Sequence, residues 1–191
     1  HGNGRNSDIW KQTLSVTSEK FRGKNGALIC PIIPTAEKEL IAMISEPKES
    51  GIRVLEVGCG CGATLAHIAY EWPDAKVSGI EIQDDIAKIG ASYLDIRQGN
   101  IETMQIPYEK DTFDYIILAD VLEHLHDPER ILQKLLPYLK EDGSILCSVP
   151  NILNRHVISD LLRGKLEYQD AGILDRTHLR FFTMDSIVRV F

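Results

Sequence analysis

From about residue 52 onward, apolar positions alternate between two rhythms. Runs at 52–57, 113–119 and 144–149 are short and rich in Val, Ile and Leu, as buried strands are, and a strand is also read at 76–81. Helical spacing fills 62–71, a segment beginning near Asp84 and a segment at roughly 129–139, and a weaker strand pattern falls near 94–98. Strands separated by helices need crossover connections. The pattern therefore predicts an α/β fold, a mostly parallel sheet with helices on both faces. Ligands of such sheets sit at the carboxyl ends of the strands, so the loops after residues 57, 81, 98, 119 and 149 are expected to surround a site.

The flanks read differently. Residues 1–34 are polar, punctuated by Gly23, Gly26, Pro31 and Pro34, and form an amino-terminal extension with room for a short helix around Trp10. Thr35 is placed to cap a helix to Ser45, with Leu40, Ile41 and Ile44 as its stripe and Pro47 as its stop. Residues 35–150 make up the core. Residues 151–191 begin with a helical pattern from Asn154 to Arg163, become irregular after Gly164 and return through Asp175-Arg176-Thr177-His178. An excursion of this kind at the strand carboxyl ends reads as a substrate lid.

Composition narrows the function classes. The 28 acidic residues against 21 Lys plus Arg, a net charge of −7, make nucleic acid an unlikely partner, since phosphate neutralisation needs a concentrated basic face. Cys30, Cys59, Cys61 and Cys147 lack the paired two-residue spacing of a zinc site and suit a reducing cytoplasm. No apolar run has membrane length, so no membrane insertion is expected and the expected location is cytoplasmic.

The chemistry begins where the first core strand ends, at Val54-Leu55-Glu56-Val57-Gly58-Cys59-Gly60-Cys61-Gly62. Three alternate glycines permit a sharp turn and a close backbone approach to a ligand, with the next helix's amides behind them. Gly58-x-Gly60-x-x-Ala63 with Glu81 also satisfies a relaxed nicotinamide-dinucleotide fingerprint. Any adenosine cofactor with free ribose hydroxyls suits an acid at the end of the second strand, so these residues leave open an NAD-dependent oxidoreductase.

Residues further along separate the two. Glu56-Val57-Gly58-Cys59-Gly60-Cys61-Gly62, Gly79-Ile80-Glu81, Gly99-Asn100-Ile101, Phe113-Asp114-Tyr115-Ile116-Ile117, Asp120-Val121-Leu122-Glu123-His124-Leu125 and Leu139-Lys140-Glu141-Asp142-Gly143-Ser144 follow one another in order. Over roughly residues 36–185 the chain resembles the class I S-adenosylmethionine-dependent methyltransferases, in particular the broad small-molecule group. The resemblance implies a Rossmann-like sheet and S-adenosylmethionine as cofactor. It also implies cofactor contacts at Glu56, Gly58, Cys59, Gly60, Gly62, Glu81, Ile82, Asn100, Ile101 and Asp120. Asn100 replaces the usual aspartate beside adenine, and its amide oxygen keeps the ability to accept a hydrogen bond. The family's sheet ends with two further strands for which no sequence remains after Phe191, so about five strands are expected, with the carboxyl-terminal ones missing from this chain.

Asp120, Glu123 and His124 stand at the carboxyl end of the fourth strand, and with His178 they are the candidate catalytic residues. His124, with an ordinary pKa near neutrality, suits a base for a hydroxyl acceptor, a substrate-positioning group or a structural hydrogen-bonder. The primary reading assigns no metal. In the alternative, Asp120-x-x-Glu123-His124 with His178 resembles the E-x-x-E-H plus distant histidine of metal-dependent small-RNA ribose methyltransferases. Arg155, His156, Arg163, Lys165, Arg176 and Arg180 suggest an anionic or sugar-like acceptor, and the stretch Ile173 to Thr183 resembles a segment of methyltransferases encoded among surface-polysaccharide genes. The expected partner is a small-molecule or glycan-related acceptor. A non-catalytic regulatory module is the remaining alternative.

Overall fold

A computed structural model describes residues 21–22, 28–29 and 35–191. The expected helix around Trp10 lies outside the described residues, as does Cys30. Within the extension, β1 (Phe21–Arg22) pairs antiparallel with β2 (Leu28–Ile29), a pairing the sequence reading did not anticipate. Helix α1 (Thr35–Ala42) then leads into the core and stops three residues earlier than expected.

The main sheet comprises β3 (Arg53–Val57), β4 (Lys76–Glu81), β5 (Asp95–Gln98), β6 (Phe113–Ala119) and β7 (Leu139–Ser148), in the order β5-β4-β3-β6-β7. Every neighbouring pair is parallel. Helices α2 (Ala63–Glu71), α3 (Asp84–Ala91) and α4 (Pro128–Leu135) make the crossovers. After β3 the chain builds outward in one direction, through β4 to β5, and then jumps back to lay β6 on the other side of β3. The crevice between the carboxyl ends of β3 and β6 is therefore the topological switch point, where open α/β sheets bind ligands.

Two boundaries differ from the sequence reading. The helix expected at 129–139 is α4, capped by the Asp127 side chain accepting from Arg130 N at 3.0 Å, with Pro128 in its first turn. It gives way to a 3-10 turn at Leu136–Tyr138, because Pro137 has no N–H to continue the helical ladder. Strand β7 begins at Leu139 rather than 144. Leu139 pairs with Phe113 and Ser144 with Tyr115, so the intervening Lys140–Gly143 bulges out of register.

Strand alternation sorts the core into two faces. Leu55 and Val57 of β3 with Ile116 and Leu118 of β6 pack toward Ile131, Leu132 and Leu135 of α4. Val54, Tyr115 and Ile117 face the other way, toward Leu40, Ile41 and Ile44 and toward Leu65 and Ile68 of α2. The period of two places Glu56 on this second face, under α1 and α2, in a position otherwise suited to a hydrocarbon.

Beyond β7, Asn151 bridges Phe182, and Phe182 enters the α4-side core at 5% exposure while Phe181 stays exposed. Helix α5 (Arg155–Leu162) buries none of its residues. Helix α6 (Met184–Val188) is closed by a reciprocal capping box between Thr183 and Ser186. Among the described residues no helix is long and apolar enough to cross a membrane.

Candidate active site

The three glycines of the β3–α2 turn all have positive φ, 73° at Gly58, 55° at Gly60 and 85° at Gly62, a region costly for residues with a Cβ. Their surroundings divide them. A Cβ on Gly58 would stand 2.7 Å from Cγ2 of Val121, so Gly58 lets β3 and the exit of β6 close together. A Cβ on Gly62 would meet Leu94 and Ile96 at 2.6 and 2.9 Å, which makes Gly62 a packing glycine and not one that faces a ligand. Only at Gly60 would a Cβ enter open space. Cys59 is 7% exposed and its thiol packs against Gly79, so it can offer a ligand its backbone alone. Burial pushes the Cys59 thiol pKa up, with Glu56 and Glu81 nearby adding to the effect.

An acidic layer lies beneath this turn. Glu81, at the end of β4, accepts from Gly60 N at 2.9 Å and from Gln83 N at 2.8 Å, one bond to each carboxylate oxygen. It thus fastens the glycine turn to the second strand and keeps lone pairs on both oxygens for a diol. Glu56 is 2% exposed, and its Oε2 finds no hydrogen-bond partner among the described residues. Burial, then the neighbouring Glu37, raises the Glu56 pKa well above the carboxylate range, against the opposing effect of Thr64. Glu37 takes the Thr64 hydroxyl at 2.7 Å, and burial raises its pKa as well. The sequence reading missed Glu37, although the spacing 37, 40, 41, 44 sets it on the buried stripe of α1. A buried carboxylate oxygen without a donor, beside two further acids, fits a cationic ligand group.

A cavity of about 400 Å3 opens at the switch point, and Gly58, Ile82, Asn100, Ile101, Asp120 and His124 all line it. Six sequence-predicted residues from four separate loops thereby share one wall. Glu56, Cys59, Gly60, Gly62 and Glu81 are not among its lining residues. Asn100 Oδ1 accepts from Glu102 N at 2.8 Å, so one lone pair of that oxygen is engaged in closing its own turn. Asp120 holds φ 52°, unusual for a residue other than glycine, and is clamped by Ser148, whose hydroxyl donates to its Oδ1 at 2.9 Å. Such a conformation persists where the surroundings over-determine it, as they do beside a binding site.

At the cavity mouth, backbone amides of Leu179 and Arg180 donate to the Glu123 carbonyl at 2.8 and 3.1 Å, drawing the returning segment against the end of β6. That contact brings His178 to His124, ring centroids 4.8 Å apart and nearly perpendicular. Partial burial lowers the His124 pKa, so its ring is neutral at physiological pH. Glu123, His124 and His178 therefore gather, with one ligand atom of each within 4.8 Å of the others, whereas Asp120 is not part of that cluster and shares only the cavity lining with His124. The basic residues further along do not. Arg163 pairs with Asp160 at 3.3 Å, Arg176 with Asp170 at 2.8 Å, and Arg180 with the His126 carbonyl, so these three cations are spent locally. Glu102, which receives His126 N and lines the cavity, and Thr177, whose carbonyl meets the His124 ring, were invisible to local pattern because each depends on a distant segment.

Comparison with known proteins now bears on this site. A family described as "Methyltransferase domain" matches residues 32–191. The (S)-coclaurine N-methyltransferase of Thalictrum flavum is 26% identical over 103 residues, 50% of this chain and 28% of that protein. The demethylmenaquinone methyltransferase of Bacillus mycoides is 27% identical over 104 residues, 51% of this chain and 44% of that protein. The chain thus spans less than half the length of either relative. Among solved structures, the plantazolicin methyltransferase BpumL in complex with SAH aligns with a TM-score of 0.61 at 20% identity, covering 82% of this chain and 60% of that one. At that identity the likeness speaks for the fold.

Proposed function

The chain belongs to the methyltransferase domain family, of the class I S-adenosylmethionine-dependent fold, and from that premise we propose that it transfers a methyl group from S-adenosylmethionine to an oxygen, less readily a nitrogen, of a small-molecule or glycan-related acceptor. The observation that carries this reading is the switch-point cavity, which joins Gly58, Ile82, Asn100 and Ile101 to Asp120 and His124 in one wall. Family membership removes the ground for the nicotinamide alternative.

The residues divide the task. Glu81 receives a ribose diol, Ile82 and Ile101 flank an adenine, and Asn100 meets its polar edge. Glu56, with Glu37 behind it, supplies negative charge to the cationic end of the cofactor. When bound, the cofactor supplies an electrophilic sulfonium methyl. In-line displacement then depends on holding the nucleophile in place, and His124 at the mouth accepts the hydrogen of an acceptor hydroxyl. The direct test is calorimetric titration with S-adenosylhomocysteine and with NAD. Saturable binding of the first with no response to NAD is expected, and the reverse result would overturn the reading.

Gly60 gives a finer test. In Gly60→Ala the added methyl meets no protein atom, so the folded state bears only the left-handed backbone strain, about 1 kcal/mol. Affinity for S-adenosylhomocysteine should nevertheless fall at least about tenfold, the equivalent of ~1.4 kcal/mol. Gly62→Ala should lose about 1–3 kcal/mol more stability than Gly60→Ala through overpacking. Thermal melts and titrations of the two variants, run side by side, check both statements.

The lid reading of 151–180 divides in two. Residues 161–171 are all exposed, whereas Leu179 and Arg180 are tied to Glu123 and Phe182 is buried. Hydrogen exchange should therefore be fast across 155–172 and slow across 179–182, with 155–172 gaining protection only when cofactor and acceptor are both present. Core-like protection of 155–172 in every state would make it a fixed wall.

A further inference from the structure

Three potential ligand groups at the cavity mouth are prepared in a way that neither cofactor binding nor helix packing requires. Glu123 is 1% exposed, yet neither of its carboxylate oxygens has a hydrogen-bond partner among the described residues. A buried carboxylate left in that state costs free energy that a protein ordinarily avoids by supplying a donor. Two imidazoles, of His124 and His178, stand within 4.8 Å of the Glu123 carboxylate. His124 Nδ1 lies 3.2 Å from the Thr177 carbonyl oxygen, and His178 Nδ1 lies 3.0 Å from the Ile173 carbonyl oxygen.

A carbonyl oxygen only accepts, and the Thr177 hydroxyl, 3.3 Å from His124 Nδ1, gives its hydrogen to Asp175 Oδ1 at 2.6 Å, so each Nδ1 carries the hydrogen. In a neutral ring the other nitrogen, Nε2, is then a bare lone pair. Two histidines with tautomers fixed in this way cannot donate to Glu123 through Nε2. Burial raises the Glu123 pKa to about 8; once a cation displaces that proton, the cluster presents two imidazole lone pairs and one carboxylate charge. A backbone carbonyl on Nδ1 is also the arrangement that orients metal-bound histidines.

One ligand atom from each of Glu123, His124 and His178 can be chosen so that all lie within 4.8 Å of one another. Ligands on one ion at bond lengths of about 2.0–2.2 Å stand roughly 3–3.5 Å apart, so the cluster needs to close by at most about 1.3–1.8 Å, within the reach of side-chain rotation. We propose that Glu123, His124 and His178 form a binding site for one divalent transition-metal ion at the mouth of the cavity.

The donor set, two imidazole nitrogens and one carboxylate, selects Zn2+, Fe2+, Co2+ or Mn2+ over Mg2+ and Ca2+, which prefer all-oxygen shells. His124 lines the cavity, so the ion's remaining positions face the space where an acceptor would enter. An oxygen-bearing acceptor bound there would be both positioned and acidified, and the ion would replace His124 in activating it, since it occupies the Nε2 lone pair that a base would use. That consequence rests on the proposed methyl transfer; the metal site itself does not.

The test uses tag-free, chelator-stripped protein titrated with Co2+ alone and followed by visible absorption, with Zn2+ as competitor. Saturation at one equivalent is expected, with Zn2+ displacing the signal. Glu123→Gln, His124→Ala and His178→Ala should each weaken Co2+ binding at least about tenfold. Absence of saturable binding, or binding that all three variants retain, would overturn the proposal. X-ray absorption at the cobalt edge of the wild-type complex is independent of whether the variants fold: two imidazoles and a carboxylate in the coordination shell support the site, and a shell without paired imidazoles refutes it. S-adenosylhomocysteine titration of the stripped protein reports separately on the methyltransferase reading.

Discussion

Glu81→Ala is expected to weaken S-adenosylhomocysteine binding by about a hundredfold or more. Glu81 holds the glycine turn through Gly60 N and the start of the β4–α3 loop through Gln83 N, and it is only 5% exposed. Hydrogen bonds to a charged group contribute about 1.5–3 kcal/mol each, and removing one partner leaves the buried amides unsatisfied. Loss of the proposed ribose contact adds to that, and a hundredfold corresponds to only ~2.7 kcal/mol. Glu81→Gln should fall between the wild type and the alanine variant, because its amide nitrogen cannot accept from either backbone N–H. Calorimetry on the three proteins decides the matter; a change of less than about fivefold in Glu81→Ala would mean that the turn and the ribose site are held by other groups.

Glu56→Gln should move stability and cofactor affinity in opposite directions. Glu56 is faced by Glu37 from α1, Thr64 from α2 and Glu81 from β4, and burial with those like charges raises its pKa. The sign follows from linkage. An acid whose folded-state pKa lies above its unfolded value of about 4.3 favours folding while it holds its proton; that contribution is complete below the unfolded value and disappears as pH rises through the folded one. Wild-type protein without cofactor should thus lose stability on this account as pH rises, whereas the neutral glutamine should lessen that slope and melt higher at neutral and alkaline pH. Each 1 kcal/mol gained shifts the midpoint by roughly 2–4 °C for a chain of this size. Affinity for the cationic cofactor should drop about 10–100-fold, the equivalent of one charged hydrogen bond. Melting curves from pH 5 to 9 and titrations at neutral pH measure both halves. A glutamine variant that is less stable throughout, with unchanged affinity, would show Glu56 to be a structural acid.

The opposition between these effects explains why the site was only partly legible in the chain. Glu56, Gly58, Gly60, Glu81, Asn100 and Asp120 occupy short segments, each beginning at a strand's carboxyl end. Local spacing exposes such residues because the strand fixes where its end lies. The same holds for Phe113–Ala119, where a largely apolar run sets both boundaries. Where the sequence misled, a local rule was overridden from outside: strand β7 was expected only from 144, but the pairing of Leu139 with Phe113 starts it earlier.

Sequence alone determined the parallel α/β architecture, the glycine turn and the acid at the end of the second strand, because each depends on backbone period and steric freedom within a few residues. Tertiary structure decided which glycine faces open space, since Val121, Leu94 and Ile96 come from other strands and loops. It decided that Glu37 stands with Glu56, and that Arg163, Arg176 and Arg180 are occupied locally. Above all it decided that His178 meets His124 across 54 residues, through two backbone hydrogen bonds to the Glu123 carbonyl. No periodicity encodes such a meeting, because a chain excursion returns to the place where its buried groups find partners, and Phe182 and those two amides find theirs only on the folded core.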